Sequence, residues 1–175
     1  MQHFPVSSSI LSTPHLGTWV QQQWGLAVTG CKLLRAGINH SYLITTAADK
    51  YVLRIYSLGW RSTTDITEEI RLINMLAENG VPVSRPMADA NGIYIHNITA
   101  PEGERHAVLF TYAMGDKVIT YPDAMHTTIG RTMAQLHLYT QGLSLQRTTY
   151  TPETLLVQSL PLLHAFIQPG SEELE

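Results

Sequence analysis

The sequence predicts an α+β fold: a five-stranded antiparallel sheet with one helix inserted after its third strand, followed by further helices. Three observations predict it. Between Gly30 and Tyr56, β-prone runs are broken by Ala36-Gly37-Ile38-Asn39 and by Ala48-Asp49-Lys50, which is the punctuation of consecutive antiparallel strands. From Asp65 onward, Ile66, Ile70, Ile73 and Leu76 recur at helical spacing until Asn79-Gly80 and Pro82 stop the pattern. Two more β-rich runs, 93–95 and 106–112, precede a Gly-containing bend, and beyond it the apolar residues return to the helical period.

Taken in order, residues 3–23 mix Ser, Thr, Pro and Gln with short apolar patches and form a lead-in, with a short helix around Gly17–Trp24. Strands are expected at Cys31–Arg35, Ser41–Thr46 and Tyr51–Tyr56. Side chains alternate along a strand, so Tyr51, Leu53 and Ile55 share one face and Val52, Arg54 and Tyr56 the other. Asp65 with Glu68 three residues later reads as a capping box at the start of the helix. Glu69 lies on the edge of that helix's apolar stripe, where a carboxylate can reach inward. Residues 81–87 are extended and Pro-punctuated, Ile93-Tyr94-Ile95 reads as the fourth strand, 101–104 as a loop and His106–Tyr112 as the fifth strand. A boundary falls at Ala113-Met114-Gly115-Asp116. Thr127 or Thr128 caps a helix with Ile129, Met133, Leu136 and His137 on one face, and Thr151-Pro152-Glu153 opens another that Pro161 interrupts. The chain thus divides into residues 1–29, 30–115 and 116–175.

Composition narrows the function. Of 175 residues, 44% are hydrophobic, and 11 basic against 14 acidic side chains leave a net charge of −3. Such a chain buries enough apolar surface to fold, and it lacks the basic field that nucleic-acid binding requires. Cys31 is alone, so neither a disulfide framework nor a thiolate metal cluster is expected. The start Met1-Gln2-His3-Phe4-Pro5 is unlike a signal peptide, and no run approaches the ~20 apolar residues of a membrane span. A cytoplasmic protein with a small-molecule or protein partner is expected. No two histidines flank a carboxylate at helical ligand spacing, so zinc hydrolysis has no support. His137, on an apolar helix face, reads as a hydrogen-bonded core histidine, and Ser7-Ser8-Ser9 as a solvated polar stretch.

Four segments, in this order, carry a resemblance: Gly37-Ile38-Asn39-His40-Ser41-Tyr42, Tyr51-Val52-Leu53-Arg54-Ile55, Glu69 through Leu76-Ala77-Glu78-Asn79-Gly80-Val81-Pro82-Val83, and Ile129-Gly130-Arg131-Thr132-Met133-Ala134-Gln135-Leu136-His137. Over residues 30–140 the sequence resembles the N-terminal lobe of the protein-kinase-like small-molecule kinases, the aminoglycoside phosphotransferase family with its choline-kinase and homoserine-kinase relatives. The resemblance implies that residues 30–115 are a nucleotide-binding lobe and 116–175 the linker and first helices of an incomplete helical lobe. It implies ATP as cofactor, accompanied by magnesium in the full-length family.

Residue by residue, the resemblance gives Gly37, Asn39 and Ser41 to the loop over the phosphates, where small residues let backbone amides approach an anion. The same residues also read as a hairpin turn using Gly and Asn for positive φ. Arg54 matches the third-strand basic residue that contacts phosphate, with a guanidinium fork where protein kinases have Lys. Its alternative is an exposed strand charge. Glu69 matches the helix glutamate that orients that cation, while Glu68 is engaged as the capping residue. Phe110 and Tyr112, in Phe110-Thr111-Tyr112-Ala113-Met114-Gly115, match the hinge whose main chain meets adenine; an edge strand ending at Gly115 is the other reading.

The family's catalytic loop, His-Gly-Asp-x-His-x-x-Asn, and its later magnesium-binding Asp are absent from residues 1–175. Asp123 is the last aspartate, and no histidine has Asp two positions later. No catalytic or metal-binding residue is therefore assigned. The chain is expected to be the N-terminal part of an ATP-dependent phosphotransferase, inactive alone, with an apolar helical patch that a complementing lobe or a protein partner covers. A non-catalytic, pseudokinase-like binding module or a decayed gene product is the alternative. The acceptor, whether aminoglycoside, choline, homoserine or another alcohol, is not legible.

Overall fold

A computed structural model describes residues 6–116 and 118–161. The chain divides into two compact units, Met1–Leu145 and Gln146–Glu175. In the first, α1 (Thr13–Trp24) precedes the meander β1 (Val28–Arg35), β2 (Asn39–Thr46) and β3 (Lys50–Tyr56), then α2 (Thr63–Glu78), β4 (Pro86–Met87), β5 (His96–Ala100), β6 (Gly103–Thr111) and α3 (Asp123–Thr140). The strands form one antiparallel sheet in the order β1-β2-β3-β6-β4, with β5 also paired to β6.

The sheet is two-sided because its strands alternate as the sequence requires. On one face Tyr42, Ile44, Leu53, Ile55, Ala107 and Leu109 pack against Leu16 and Val20 of α1. On the other, Tyr56, Val108 and Phe110 pack against Ile66 and Ile70 of α2. Each such large apolar side chain contributes about 1.5–3 kcal/mol on burial, so both helices are held chiefly by these two cores.

Several boundaries differ from the sequence expectation. The sheet has six strands, not five. Ile93-Tyr94-Ile95 is not a strand: Tyr94 and Ile95 pack on the α2 core, and the fourth expected strand begins one residue later, where His96–Ala100 forms a tight hairpin with β6 through Gly103 at φ +138°. An apolar run marks burial, and here a helix rather than a ladder provides it. The extra strand, β4, is two residues long and starts at Pro86, as an edge position allows. Helix α2 starts before Asp65 because Ser62 is its cap: Ser62 Oγ accepts from the Asp65 amide at 3.1 Å and Asp65 Oδ2 from the Ser62 amide at 3.1 Å. Glu68 is thereby released from capping and pairs with Arg71 at 2.8 Å. Helix α1 begins at Thr13, with Pro14 in its first turn.

The segment before α1 is fastened to the sheet. Arg105, 1% exposed, donates to the carbonyls of Ser9 and Tyr56, each at 2.9 Å, and pairs with Glu102 at 3.2 Å. Glu102 in turn accepts from the Ser9 amide at 3.1 Å and the Ser9 hydroxyl at 2.7 Å. Ser9 is thus a buried-network member rather than part of a solvated stretch. Burial opposes ionisation of Glu102, but the Ser9 and Arg105 donors outweigh it and hold the carboxyl below its usual range.

Helix α3 begins at Asp123, a turn before Thr127, and has no buried residue. Ile129, Met133, Leu138 and Tyr139 are exposed on it, and so is His137, which corrects the expected core histidine. In the second unit, Thr151 and Thr154 cap each other at 2.8 and 3.2 Å and a short π-helical turn covers Glu153–Val157. The expected helix from Thr151 is described only to Pro161; Leu162, Leu163 and the acidic tail lie outside the described residues.

Candidate functional site

Alternation in β3 sends Arg54 to the α2 side of the sheet, and the helical period of α2 turns Glu69 toward it. Arg54 Nη1 donates to Glu69 Oε1 at 2.6 Å, and the two side chains are 33% and 20% exposed. Tyr56, two residues along the same face, donates its hydroxyl to Glu69 Oε2 at 3.2 Å. Both carboxylate oxygens are therefore occupied, and Glu69 is fixed. Below the guanidinium lies the Phe110 ring, with 4.7 Å from Cζ to its centroid, an aromatic face that suits a cation. Guanidinium carries five N–H donors; Glu69 takes one and the Tyr56 hydroxyl also interacts with the group, which leaves further donors over.

The electrostatics agree with this geometry. Burial alone would lower the Arg54 pKa, but Tyr56 and Glu69 raise it, so the cation is permanent. Tyr56 is pushed up to about 12, first by burial and then by the Glu69 carboxylate, against the pull of Arg54. The site is a held cation with donors left over, an arrangement chemically suited to an anion.

Cross-strand register brings the sequence candidates of β2 to the same face. Ser41 stands opposite Arg54 and Asn39 opposite Tyr56. Both belong to β2 rather than to the turn, which comprises only residues 36–38. The turn is tied back toward β3 by a hydrogen bond from Ser57 Oγ to the Ile38 carbonyl. Neither Gly37 nor Asn39 has positive φ, so the turn does not use the backbone freedom that the hairpin reading assigned to them. A Cβ at position 37 would meet Arg35 Nε at 3.7 Å and the Asn39 carbonyl at 4.0 Å, ordinary contacts, so packing does not require glycine either. The Asn39 amide oxygen is buried with no partner among the described residues. Leu43 and Val52, opposite one another and half-buried, extend the same face as an apolar floor; alternation in β3 already places Val52 there, and the same period in β2 was the signal that could have found Leu43.

Phe110 and Tyr112 separate. Phe110 is 3% exposed, packed in the α2 core, and it meets Arg54 rather than an open hinge. The Tyr112 amide donates to the Lys50 carbonyl at 3.3 Å and its ring lies 5.8 Å from Lys50 Nζ. Beyond it the chain leaves the ladder, with Gly115 at φ +137°. An open cavity of about 630 Å³ lies at this end of the sheet, lined by Thr45–Tyr51, Met87, Thr111, Tyr112 and Met114. It includes Tyr112 but not Arg54 or Glu69. Among the described residues, no three His, Cys, Asp or Glu side chains gather as metal ligands.

An antiparallel sheet with one helix inserted after its third strand is the arrangement of kinase-like N-terminal lobes. More particularly, the chain belongs to the phosphotransferase enzyme family, whose family model matches residues 30–163. It is 36% identical over 174 residues to an uncharacterised protein of Synechocystis sp., covering 97% of this chain and 48% of that one. It is 28% identical over 110 residues to a homoserine kinase of Bartonella tribocorum, covering 62% and 33% respectively. Among solved structures it is similar to the amicoumacin kinase determined with AMP-PNP and calcium, at TM-score 0.62 and 18% identity over 89% of this chain and 55% of that one. The chain thus spans about half the length, or less, of the curated relatives it matches. No helix among the described residues is long and apolar enough to cross a membrane.

Proposed function

We propose that residues 30–115 are the nucleotide lobe of an ATP-dependent small-molecule phosphotransferase working in the cytoplasm, and that residues 116–175 are the linker and the start of its helical lobe. The observation that carries this reading is the Arg54–Glu69 pair at 2.6 Å, which leaves donors of the guanidinium fork over. Arg54 would hold phosphate oxygens, Glu69 orients it, and the side-chain-free Gly37 leaves the β1–β2 turn open to backbone contact with an anion. Asn39 and Ser41 border the same space. Phe110 serves as the floor under the cation, while Tyr112 belongs to the segment that meets the base. The AMP-PNP in the amicoumacin kinase structure supports a nucleotide as ligand.

Phosphoryl transfer needs a group that orients the acceptor and ligands for magnesium, which compensates charge on the transferred phosphate. Residues 1–175 contain no His-Gly-Asp-x-His-x-x-Asn segment, so by themselves they bind nucleotide without transferring phosphate. The exposed apolar residues of α3 support a complementing helical lobe as the natural partner.

Calorimetric titration with MgATP tests the reading. The 1–175 chain binds, and Arg54→Ala weakens binding by about 1.5–3 kcal/mol, the value of a charged hydrogen bond. Unchanged affinity in that variant removes Arg54 from the site. Magnesium-dependent ATP turnover by purified 1–175 would show that the chain needs no further lobe.

A further inference from the structure

We propose that Arg35 is a second phosphate-binding guanidinium, turned onto the Arg54 face by a bulge in β1. This rests on the nucleotide reading above and adds to it a residue to which no motif assigns a role. Leu33 stands opposite Tyr42, but the next paired residue, Arg35, stands opposite Ser41. Leu34 is thus the extra residue of the bulge.

In an uninterrupted ladder Leu34 would oppose Ser41, and Arg35 would oppose His40. His40 is 4% exposed and lies on the α1 face, where a third charge beside Arg105 and Glu102 would have no counterion. One inserted residue moves the Arg35 side chain off that sealed face and onto the open one, the re-aiming that bulges provide. The result is a row across three strands: Arg35, Ser41, Arg54.

The three strand arginines then differ in a telling way. Arg54 is paired with Glu69 and Arg105 with Glu102. Arg35 is exposed and among the described residues its side chain has no hydrogen bond or ion pair. Its Nε lies beside the turn, 3.7 Å from where a Cβ on Gly37 would stand, so the absence of a side chain at 37 leaves room beside the Arg35 guanidinium. Strands are spaced ~4.8 Å apart, so the β1 and β3 backbones are ~10 Å apart and two long cationic side chains flank Ser41 across that gap. Arg54 has part of its charge answered by Glu69. A triphosphate carries more negative charge than that remainder compensates, and its length suits two cations better than one. A nucleoside monophosphate lacks the extra phosphates that the second cation would meet.

The test is titration of the 1–175 chain with MgATP and with AMP in the wild type and in Arg35→Gln, Arg35→Lys, Arg54→Gln and Arg131→Gln. Arg131, on the exposed helix α3, is the control for net charge. Circular dichroism checks that each variant is folded. The proposal expects Arg35→Gln to lose about tenfold in ATP affinity, as for one charged hydrogen bond, with AMP affinity unchanged. Arg35→Lys recovers part of the loss, and Arg131→Gln matches the wild type. Wild-type ATP affinity in Arg35→Gln, equal losses for ATP and AMP, or an equal loss in Arg131→Gln overturns it. If Arg54→Gln weakens ATP while Arg35→Gln does not, only the Arg35 assignment fails. If the wild type binds neither nucleotide, the nucleotide reading falls and takes this one with it; if Arg54→Gln binds ATP as the wild type does, Arg54 leaves the site and the Arg35–Ser41–Arg54 row is overturned.

Discussion

Tyr56, itself 1% exposed, fixes one carboxylate: its hydroxyl donates to Glu69 Oε2 at 3.2 Å. Burial and the Glu69 carboxylate push the Tyr56 pKa up to about 12 in the folded chain, from the ordinary phenol value of about 10. Between those values the unfolded chain binds fewer protons, so stability is complete below pH 10 and declines as pH rises toward 12. Tyr56→Phe should remove that part of the slope, on the order of 2 kcal/mol for a shift of this size. Urea denaturation of both proteins at stepped pH measures it, and parallel pH profiles would show that the phenol does not carry the effect. Arg54 and Glu69 were legible in the sequence because two periods, of 2 and of 3.6, fix where their side chains go. The hydroxyl bond of Tyr56 was not, since a period assigns a face and leaves the partner on it open.

At the scale of elements, the β1–β2 hairpin separates conformation from binding. Gly37 needs neither positive φ nor close packing, so Gly37→Ala should change the melting temperature by less than about 2 °C, corresponding to less than 1 kcal/mol. The same substitution should weaken MgATP binding, because it places a methyl group where backbone and phosphate would meet. A large fall in melting temperature would instead make the glycine structural. The turns at 36–38 and 47–49 were readable from Gly, Asn and Asp. The start of β5 was not, because Ile93-Tyr94-Ile95 has strand-like composition and its burial comes from α2. Ser62 was missed as the α2 cap because Asp65 and Glu68 repeat the same spacing three residues later, and only the hydrogen bonds decide between the two boxes.

For the whole molecule, the fold class and the order of elements could be read from sequence, whereas the environment of the last helix could not. Periodicity shows which side of α3 is apolar but not what lies against it, and in this chain Ile129 and Met133 are each 46% exposed. Replacing both with Lys should leave the thermal transition in place, since no core contact is lost, while reducing binding of a hydrophobic dye and self-association on a sizing column. A lowered transition temperature would mean that these residues support the fold of 1–175 itself. The relatives extend well beyond the matched region, which is where a cover for this helix is to be sought.

The fastening of Ser9 by Glu102 and Arg105 also matters to anyone who would shorten the protein. Trimming through Ser9 would remove a carbonyl and two donors from a sealed pair of opposite charges, and the damage would reach the backbone of Tyr56 through Arg105. An affinity handle placed ahead of Val6 avoids that harm, because Ser9 is the residue that Glu102 and Arg105 hold.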